Sequence, residues 1–184
     1  MSVGCAQTNA PIDTSTASPE TWSDVEETTG DYDEAWAANW PNSVEPIGDG
    51  ALIIRSLDQG QMLDLAWAQQ SSVACFPANL NEEFAGNTLF FALQQPAERS
   101  LQVRVESDPN TDSSLWVLQQ GANDYYTPPD VPQAIQCESA WRSGTGETET
   151  IELSAPDHDY NLLIGVAGRE NVDTGLVRLE TTLD

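Results

Sequence analysis

Lysine is missing from this sequence of 184 residues, and histidine occurs once, at position 158. The six basic residues are all arginines, and they face 30 acidic residues, so the formal net charge is −24. Binding to nucleic acid or to anionic lipid head groups needs cationic side chains that replace counterions. We therefore exclude nucleic acid as a partner. We expect the acidity to favour solubility and to attract cations.

Long hydrophobic runs are missing as well. No stretch approaches the roughly 20 apolar residues of a transmembrane helix. The N-terminus does not show the charged and then apolar pattern of a signal peptide. Removal of an original signal ahead of Met1 would leave the same sequence, so this absence does not argue against export.

Cysteine is scarce, with residues only at positions 5, 75 and 137. There is no C-x-x-C spacing and only one histidine, so a structural zinc site lacks ligands and we predict no metal and no cofactor. Cys75 and Cys137 flank a run of strand-like sequence. We predict a disulfide between them, formed in an oxidising compartment. Two unpaired buried thiols are the alternative, because cysteine packs as a small hydrophobic residue.

Cys5 follows Ser2-Val3-Gly4. Small residues directly before a cysteine resemble a bacterial lipobox, in which the cysteine becomes a lipidated first residue, although that motif usually has leucine where Ser2 stands. An incidental tail cysteine is the alternative. A flexible polar segment follows, as a lipid anchor requires, so we predict lipidation at Cys5 and contact with a membrane only through that anchor.

Residues 1–50 are predicted to form an acidic, mostly disordered N-terminal tether. Positions 6–50 carry ten acidic residues and no basic one. They show no apolar period, so they cannot bury enough apolar surface to offset the entropy of ordering. One stretch leaves an alternative open. Trp36 and Trp40 are four residues apart, on one face if helical, so this part could dock on the domain or on a partner.

Residues 51–184 are predicted to form one all-β domain. Short alternating runs separated by turn residues are typical of a β-sandwich, and no helix of convincing length is present. The predicted strands are Ala51–Arg55, Met62–Trp67, Ser72–Phe76, Asn87–Leu93, Leu101–Val105, Ser114–Leu118, Ala134–Cys137, Thr148–Leu153, Tyr160–Val166 and Leu176–Leu183.

Four strand-like pieces follow one another in a definite order and spacing between Cys75 and Leu183: Phe84–Leu93, Leu101–Val105, Asp112–Leu118, and the final pair Tyr160–Gly168 with Gly175–Leu179. In this order and spacing, the sequence resembles the bacterial pre-peptidase C-terminal domain family and its relatives in secreted lipoproteins. The resemblance implies a jelly-roll-like β-sandwich of the kind appended to secreted enzymes, some relatives of which bind calcium or matrix polymers. No peptidase domain precedes these residues here, so we expect the module itself to be the functional part.

Catalytic patterns are weak. His158 lies between two aspartates, which could orient its imidazole as a Ser-His-Asp triad requires, but the sequence has no G-x-S-x-G nucleophile motif. We therefore predict no catalytic residue. Asp108-Pro109-Asn110-Thr111-Asp112 has the opening spacing of a calcium loop, and a turn between two strands is the alternative that we favour.

The aromatic candidates for binding a ligand are Trp116, Tyr125, Tyr126 and Trp141. Of these, we expect Tyr125 and Tyr126 to be the exposed pair, in a long loop after a strand. Trp116 is expected in the core. We predict an exported, non-catalytic binding or assembly module at the bacterial outer membrane, in the periplasm or on the cell surface, with another envelope or surface protein as its partner. A carbohydrate- or matrix-binding module, with a polysaccharide partner, is the alternative. A small secreted hydrolase that uses His158 is the second alternative.

Overall fold

The computed structural model describes residues 22–71, 74–76, 81–142 and 144–184. Cys5 lies outside these residues. Three short α-helices and ten β-strands make up the described fold. The helices are α1 (Glu34–Ala37), α2 (Ala66–Gln70) and α3 (Asn81–Phe84); the strands are β1 (Val44–Pro46), β2 (Leu52–Ser56), β3 (Gln61–Met62), β4 (Asn87–Gln95), β5 (Leu101–Ser107), β6 (Ser113–Gly121), β7 (Gln136–Ala140), β8 (Thr148–Leu153), β9 (Tyr160–Gly168) and β10 (Leu176–Leu183). None of the helices in the described residues is long and apolar enough to span a membrane.

The strands form two sheets, which confirms the predicted all-β sandwich. One sheet has six strands. Five of them follow the order β1-β4-β9-β6-β7, and the sixth, β3, pairs with another part of β4. The other has the order β2-β10-β5-β8. All the strand pairs are antiparallel except β1 with β4, which is parallel.

The first hydrophobic core lies between the two sheets. The six-stranded sheet contributes alternate residues of its three central strands, and the four-stranded sheet contributes the inward residues of all its strands. Members of this core include Leu89, Phe91, Leu93, Leu115, Val117, Leu162, Ile164, Val166, Ile53, Val103, Val105, Ile151, Val177 and Leu179. Burial of apolar surface between two facing sheets is what stabilises such a sandwich.

A second hydrophobic core covers the outer face of the six-stranded sheet. In the central strands of this sheet, the residues that alternate with those of the first core point to the outer face. The short helices and connecting segments pack on them. Its buried members are Trp36, Trp40, Val44, Leu65, Ala68, Phe76, Phe84, Phe90, Ala92, Trp116, Leu118, Leu163 and Ala167. The six-stranded sheet is therefore buried on both faces.

The two sheets differ in sequence because they differ in burial. Strands β4, β6 and β9 are almost continuously apolar in their middle parts, since both faces of these strands are covered. Strands β5, β8 and β10 alternate apolar and polar residues, because their outer face meets solvent. Trp116 is fully buried, as the sequence predicted.

Two predicted strands are wrong. Met62–Trp67 ends its pairing after Met62, and Ala66–Gln70 is helical. Within the predicted strand Ser72–Phe76, the described residues 74–76 are not extended strand. Both segments cross over the second core. Their apolar residues, such as Leu65 and Phe76, are buried against the face of a sheet and not within it, so hydrophobicity misled the assignment.

The predicted boundary at residue 50 needs correction, because the end of the tether packs on the sandwich. Strand β1 pairs with β4, and Thr28 forms a bridge with Leu52. Helix α1 begins after Asp33, whose Oδ1 accepts hydrogen bonds from the backbone N–H of Ala35 (2.7 Å) and Trp36 (3.0 Å). The docking alternative therefore holds for this stretch, because the two tryptophans supply apolar surface that the acidic residues around them lack.

An arginine fork links the two sheets at one edge. Arg55 of β2 donates from Nε to Oε2 of Glu45 (2.9 Å) and from an NH group to its Oε1 (2.5 Å). Glu45 belongs to β1 in the other sheet. A second acid, Glu27, accepts from the same guanidinium at 2.6 Å. Bidentate pairs of this kind are stronger and more directional than single contacts.

The predicted disulfide between Cys75 and Cys137 is present, with the Cα atoms 5.4 Å apart and a sequence separation of 62. It joins the segment that covers the second core to β7 at the edge of the six-stranded sheet. In the loop-entropy account, closing a loop of this length contributes about 4 kcal/mol to stability.

The contact between Gly165 and Trp116 yields a prediction about the second core. A Cβ atom at position 165 would lie 2.0 Å from Cε2 of Trp116, which faces it across the β6–β9 pair. We expect Gly165→Ala to lower the free energy of unfolding by about 3 kcal/mol, because the added methyl group would overpack the core. Urea denaturation followed by far-ultraviolet circular dichroism measures this loss.

The matched variant is Trp116→Phe, which removes the outer part of the indole, including Cζ2, and leaves a smaller ring beside position 165. In the Trp116→Phe background, Gly165→Ala should cost clearly less than it does in the wild type. An equal cost in both backgrounds would show that the ring of Trp116 does not impose the glycine.

Candidate functional site

The loop between β6 and β7 contains both tyrosines that the sequence singled out. Tyr125 and Tyr126 are each half-buried, so neither is as exposed as predicted. The ring of Tyr125 packs edge-on against Trp40, with 5.3 Å between the ring centroids. Trp40 in turn lies 6.1 Å from Trp36. Tyr125 therefore belongs to the border of the second core, and Tyr126 is the tyrosine of the pair that is not committed to it.

Two buried amide side chains hold this loop. The side chain of Gln120 in β6 donates to the carbonyl of Tyr126 (2.9 Å) and accepts from its backbone N–H (2.9 Å). Asn161 in β9 donates to the carbonyls of Ala122 (3.1 Å) and Asp124 (2.9 Å). Gln120 and Asn161 are fully buried. They are also opposite one another in the β6–β9 register.

The same asparagine connects the loop to the N-terminal segment. The indole N–H of Trp36 donates to Oδ1 of Asn161 at 2.7 Å. Asn161 therefore uses its acceptor for α1 and its two donors for the loop. An unpaired buried donor or acceptor costs about 1–3 kcal/mol, so helix, strand and loop depend on one another through this side chain.

The residues that the loop presents are Asn123, Asp124 and Tyr126. Asn123 is exposed, and Asp124 is half-buried. The negative charge of Asp124 raises the pKa of the Tyr126 hydroxyl, which lies beside that carboxylate. The arrangement offers an aromatic ring, a hydroxyl group and a carboxylate on a fixed backbone. Such a set can bind a ligand through ring stacking, hydrogen bonds and charge.

The Asp108–Asp112 segment forms a turn. Oδ1 of Asp108 accepts from the backbone N–H of Asn110 (2.8 Å), and Oδ2 accepts from the Thr111 hydroxyl and from the backbone N–H of Leu176 (2.7 Å each). Both carboxylate oxygens of Asp108 are thus occupied by the protein itself. Within the described residues, no group of three or more histidine, cysteine or acidic side chains is placed to hold a metal ion.

The other sequence candidates lie apart from the loop. His158 is exposed, and its Nδ1 lies 2.7 Å from the carbonyl oxygen of Asp157. Trp141 is exposed at the end of β7. Cys5, the predicted lipidation site, lies outside the described residues.

Grooves lined by described residues include the following pair on the surface of the sandwich. The larger, of about 560 Å³, follows the edge of β4 between β1 and β3, and Arg55, Gln59 and Thr88 are among its lining residues. The smaller, of about 430 Å³, contains Tyr32 and Arg99. The arginines in both grooves are already paired with acids of the protein, Arg55 with Glu45 and Arg99 with Asp49.

One buried carboxyl group has an unusual ionisation. Glu149 lies on the inward face of β8, with 3% of its surface exposed. Burial raises its pKa from 4.5 to about 7, and the nearby charge of Arg142 reverses only part of that shift. The carboxyl group is therefore largely protonated in mildly acidic solution, because the charged form is poorly solvated there.

Sequence reasoning missed three residues that shape the loop, namely Gln120, Asp124 and Asn161. A signal for two of them was present. Gln120 ends the apolar run of β6, and Asn161 begins that of β9. A polar residue inside a strand that is buried on both faces must find a hydrogen-bond partner, so it marks a structured contact.

No protein-family model matches the chain, and no curated protein matches it. Among solved structures, the chain is similar to the pre-peptidase C-terminal domain of a collagenase from Bacillus anthracis, with 12% identity and a TM-score of 0.43 over 77% of this chain and 97% of the other. It is also similar to a periplasmic inhibitor of g-type lysozyme from Aeromonas hydrophila, with 12% identity and a TM-score of 0.39 over 77% of this chain and 98% of the other. The first is a domain of the family that the sequence resembles. At these identities and TM-scores, neither similarity transfers a function to this chain.

Removing Asn161 should loosen the loop. In Asn161→Ala, the Trp36 indole N–H and the carbonyls of Ala122 and Asp124 lose their partner, so we expect stability to fall by about 2–3 kcal/mol. Hydrogen exchange followed by mass spectrometry should show lost protection in residues 122–126 and in α1. Protection in β5 and β10 should fall only by the amount that the lower global stability explains. Urea denaturation measures that global stability separately. Uniform loss across all strands would contradict a local role.

Glu149 should make stability depend on pH. Its pKa is higher in the folded state (about 7) than the ordinary 4.5, so the folded state binds the proton more tightly. The stabilisation is fully present below pH 4.5 and is lost as the pH rises through 7. It amounts to at most about 3 kcal/mol, since one pKa unit corresponds to about 1.4 kcal/mol.

Glu149→Gln should remove this dependence, so that the wild type loses stability relative to the variant between pH 4.5 and 7.5. Thermal unfolding across that range measures the difference. Glu152→Gln is the matched control, because Glu152 lies on the exposed face of the same strand. The same pH profile for the wild type and Glu149→Gln would show that Glu149 ionises normally.

Proposed function

We propose that this chain is a non-catalytic binding module of the bacterial cell envelope or extracellular space, and that it binds another protein through the loop of residues 122–126. The observation that carries the proposal is the pair of fully buried amides, Gln120 and Asn161. Their side chains form four hydrogen bonds to the backbone of this one loop. Loops held on a rigid scaffold are where sandwich domains commonly place binding residues.

The proposed compartment rests on the cysteines. A disulfide between Cys75 and Cys137 persists in oxidising compartments such as the periplasm or the cell surface. Lipidation of Cys5 would add an anchor ahead of the acidic segment. The intact mass of the chain isolated from its own cells tests both features under non-reducing conditions. Acyl groups on Cys5 would support the anchor, and an unmodified chain with three free thiols would contradict the whole assignment.

The binding role is tested by photo-crosslinking in intact cells. A benzoylphenylalanine at Asn123 places the reactive group on the loop and leaves Tyr126 in place. The matched control carries it at Thr150, an exposed position on the outer face of the four-stranded sheet. We expect a discrete protein adduct from position 123 that is absent from position 150.

Competition gives this experiment its specificity. An excess of unlabelled wild-type domain should suppress the adduct, and an excess of the Tyr126→Ala domain should suppress it much less. Adducts that are the same at both positions, or that both competitors suppress equally, would exclude the loop as the binding surface. Binding to a glycan array that is lost in Tyr126→Ala would instead favour the carbohydrate- or matrix-binding alternative.

A further inference from the structure

The loop presents an acid and an aromatic ring two residues apart, at Asp124 and Tyr126. We propose that this pair receives a lysine or arginine side chain of the protein partner, with the cationic head on the Asp124 carboxylate and the alkyl stem along the Tyr126 ring. This inference rests on the proposed function and states the chemistry by which the loop recognises its partner.

The charge distribution supports a cationic ligand. Five of the six arginines form ion pairs with acids of the described residues: Arg55, Arg99, Arg104, Arg169 and Arg178. The sixth, Arg142, lies beside the buried Glu149. Asp124 has no ion pair with an arginine in the described part of the chain. Since the chain has no lysine, a lysine side chain that pairs with this carboxylate would belong to another molecule.

The geometry supports recognition at a fixed point. The carbonyl of Asp124 accepts from Asn161, and its backbone N–H donates to the carbonyl of Gly121 (2.9 Å). Both backbone groups of Tyr126 are bonded to Gln120. The backbone that carries the acid and the ring is therefore ordered before a ligand arrives, which lowers the entropic cost of binding.

The pair suits a cation better than it suits other ligands. A carboxylate forms charge-assisted hydrogen bonds with an ammonium or guanidinium group, and the face of an aromatic ring attracts the same cations. An anionic ligand would be repelled by Asp124 and by the net charge of −24. A neutral sugar could stack on Tyr126, but it would gain nothing from the charge of the carboxylate.

The test uses the probe Nα-acetyl-lysine amide in a titration followed by amide chemical shifts in ¹⁵N-labelled domain. The matched probe is Nα,Nε-diacetyl-lysine amide, which has the same stem without the charge. We expect saturable shifts confined to residues 122–126 with the first probe and none with the second. Asp124→Asn and Tyr126→Ala should each weaken binding about threefold or more, which is the scale of exposed ion and cation–π pairs.

Two variants separate this site from general attraction to an acidic surface. Tyr126→Phe keeps the ring and removes only the hydroxyl beside the Asp124 carboxylate, so it should still bind the first probe saturably. Asp157→Asn removes an exposed acid elsewhere and should have no effect. Shifts that spread over exposed acids without saturating, or equal binding of the two probes, would overturn the inference. Dispersed spectra of each variant confirm that it is folded.

The two proposals can fail separately. If position 123 crosslinks a protein specifically but lysine amide does not bind, the loop is a binding surface that recognises something other than a cation. If crosslinking and titration both fail, the proposed function itself is wrong.

Discussion

Burial of the six-stranded sheet on both faces is the constraint on which the rest of the structure depends. Its centre is Trp116, which is fully buried on the outer face of the sheet, on the side away from the inter-sheet core. Trp116 packs there among Phe76, Phe90 and Trp67. A side chain at position 165 on the neighbouring strand would collide with the indole of Trp116. Glycine at that position leaves the space that the indole occupies. Once Trp116 points outward, the chain must supply a cover for that face. The short helices, the disulfide and the N-terminal segment are that cover.

The cover explains why so much of the chain outside the strands has a defined place. Trp36 and Trp40 lie in an acidic stretch, yet their burial against the sheet supplies the free energy that local propensity does not. Buried amides then determine how the cover and the loop meet. Asn161 is fully buried, so each of its polar atoms needs a partner inside the protein. Its three hydrogen bonds set the positions of α1 and of residues 122–126 together.

With six cations for 30 acids, the few arginines of the chain are placed at positions where they join separate parts of the fold. Arg55 connects the two sheets, Arg169 connects α3 with the ends of β6 and β9, and Arg104 and Arg178 form a network with Glu106 and Glu180 on the open face of the four-stranded sheet. Asp124 is not among the acids that pair with these arginines in the described residues, which is why the proposed ligand is a cation.

The sequence by itself determined the fold class, most of the strands, the disulfide and the core position of Trp116. Each of these depends on a pattern in the sequence, namely a two-residue period, a turn or a pair of cysteines. Such a pattern can be recognised without knowing which residues are in contact in the folded protein. Tertiary structure alone decided that residues 33–46 belong to the sandwich, that 66–70 is helical, and that Tyr125 packs on Trp40 while Tyr126 does not. These features arise from contacts between positions as distant as Trp36 and Asn161. Such contacts leave no periodic trace in either segment, because each partner is ordinary in its own surroundings and becomes informative only when the other is beside it.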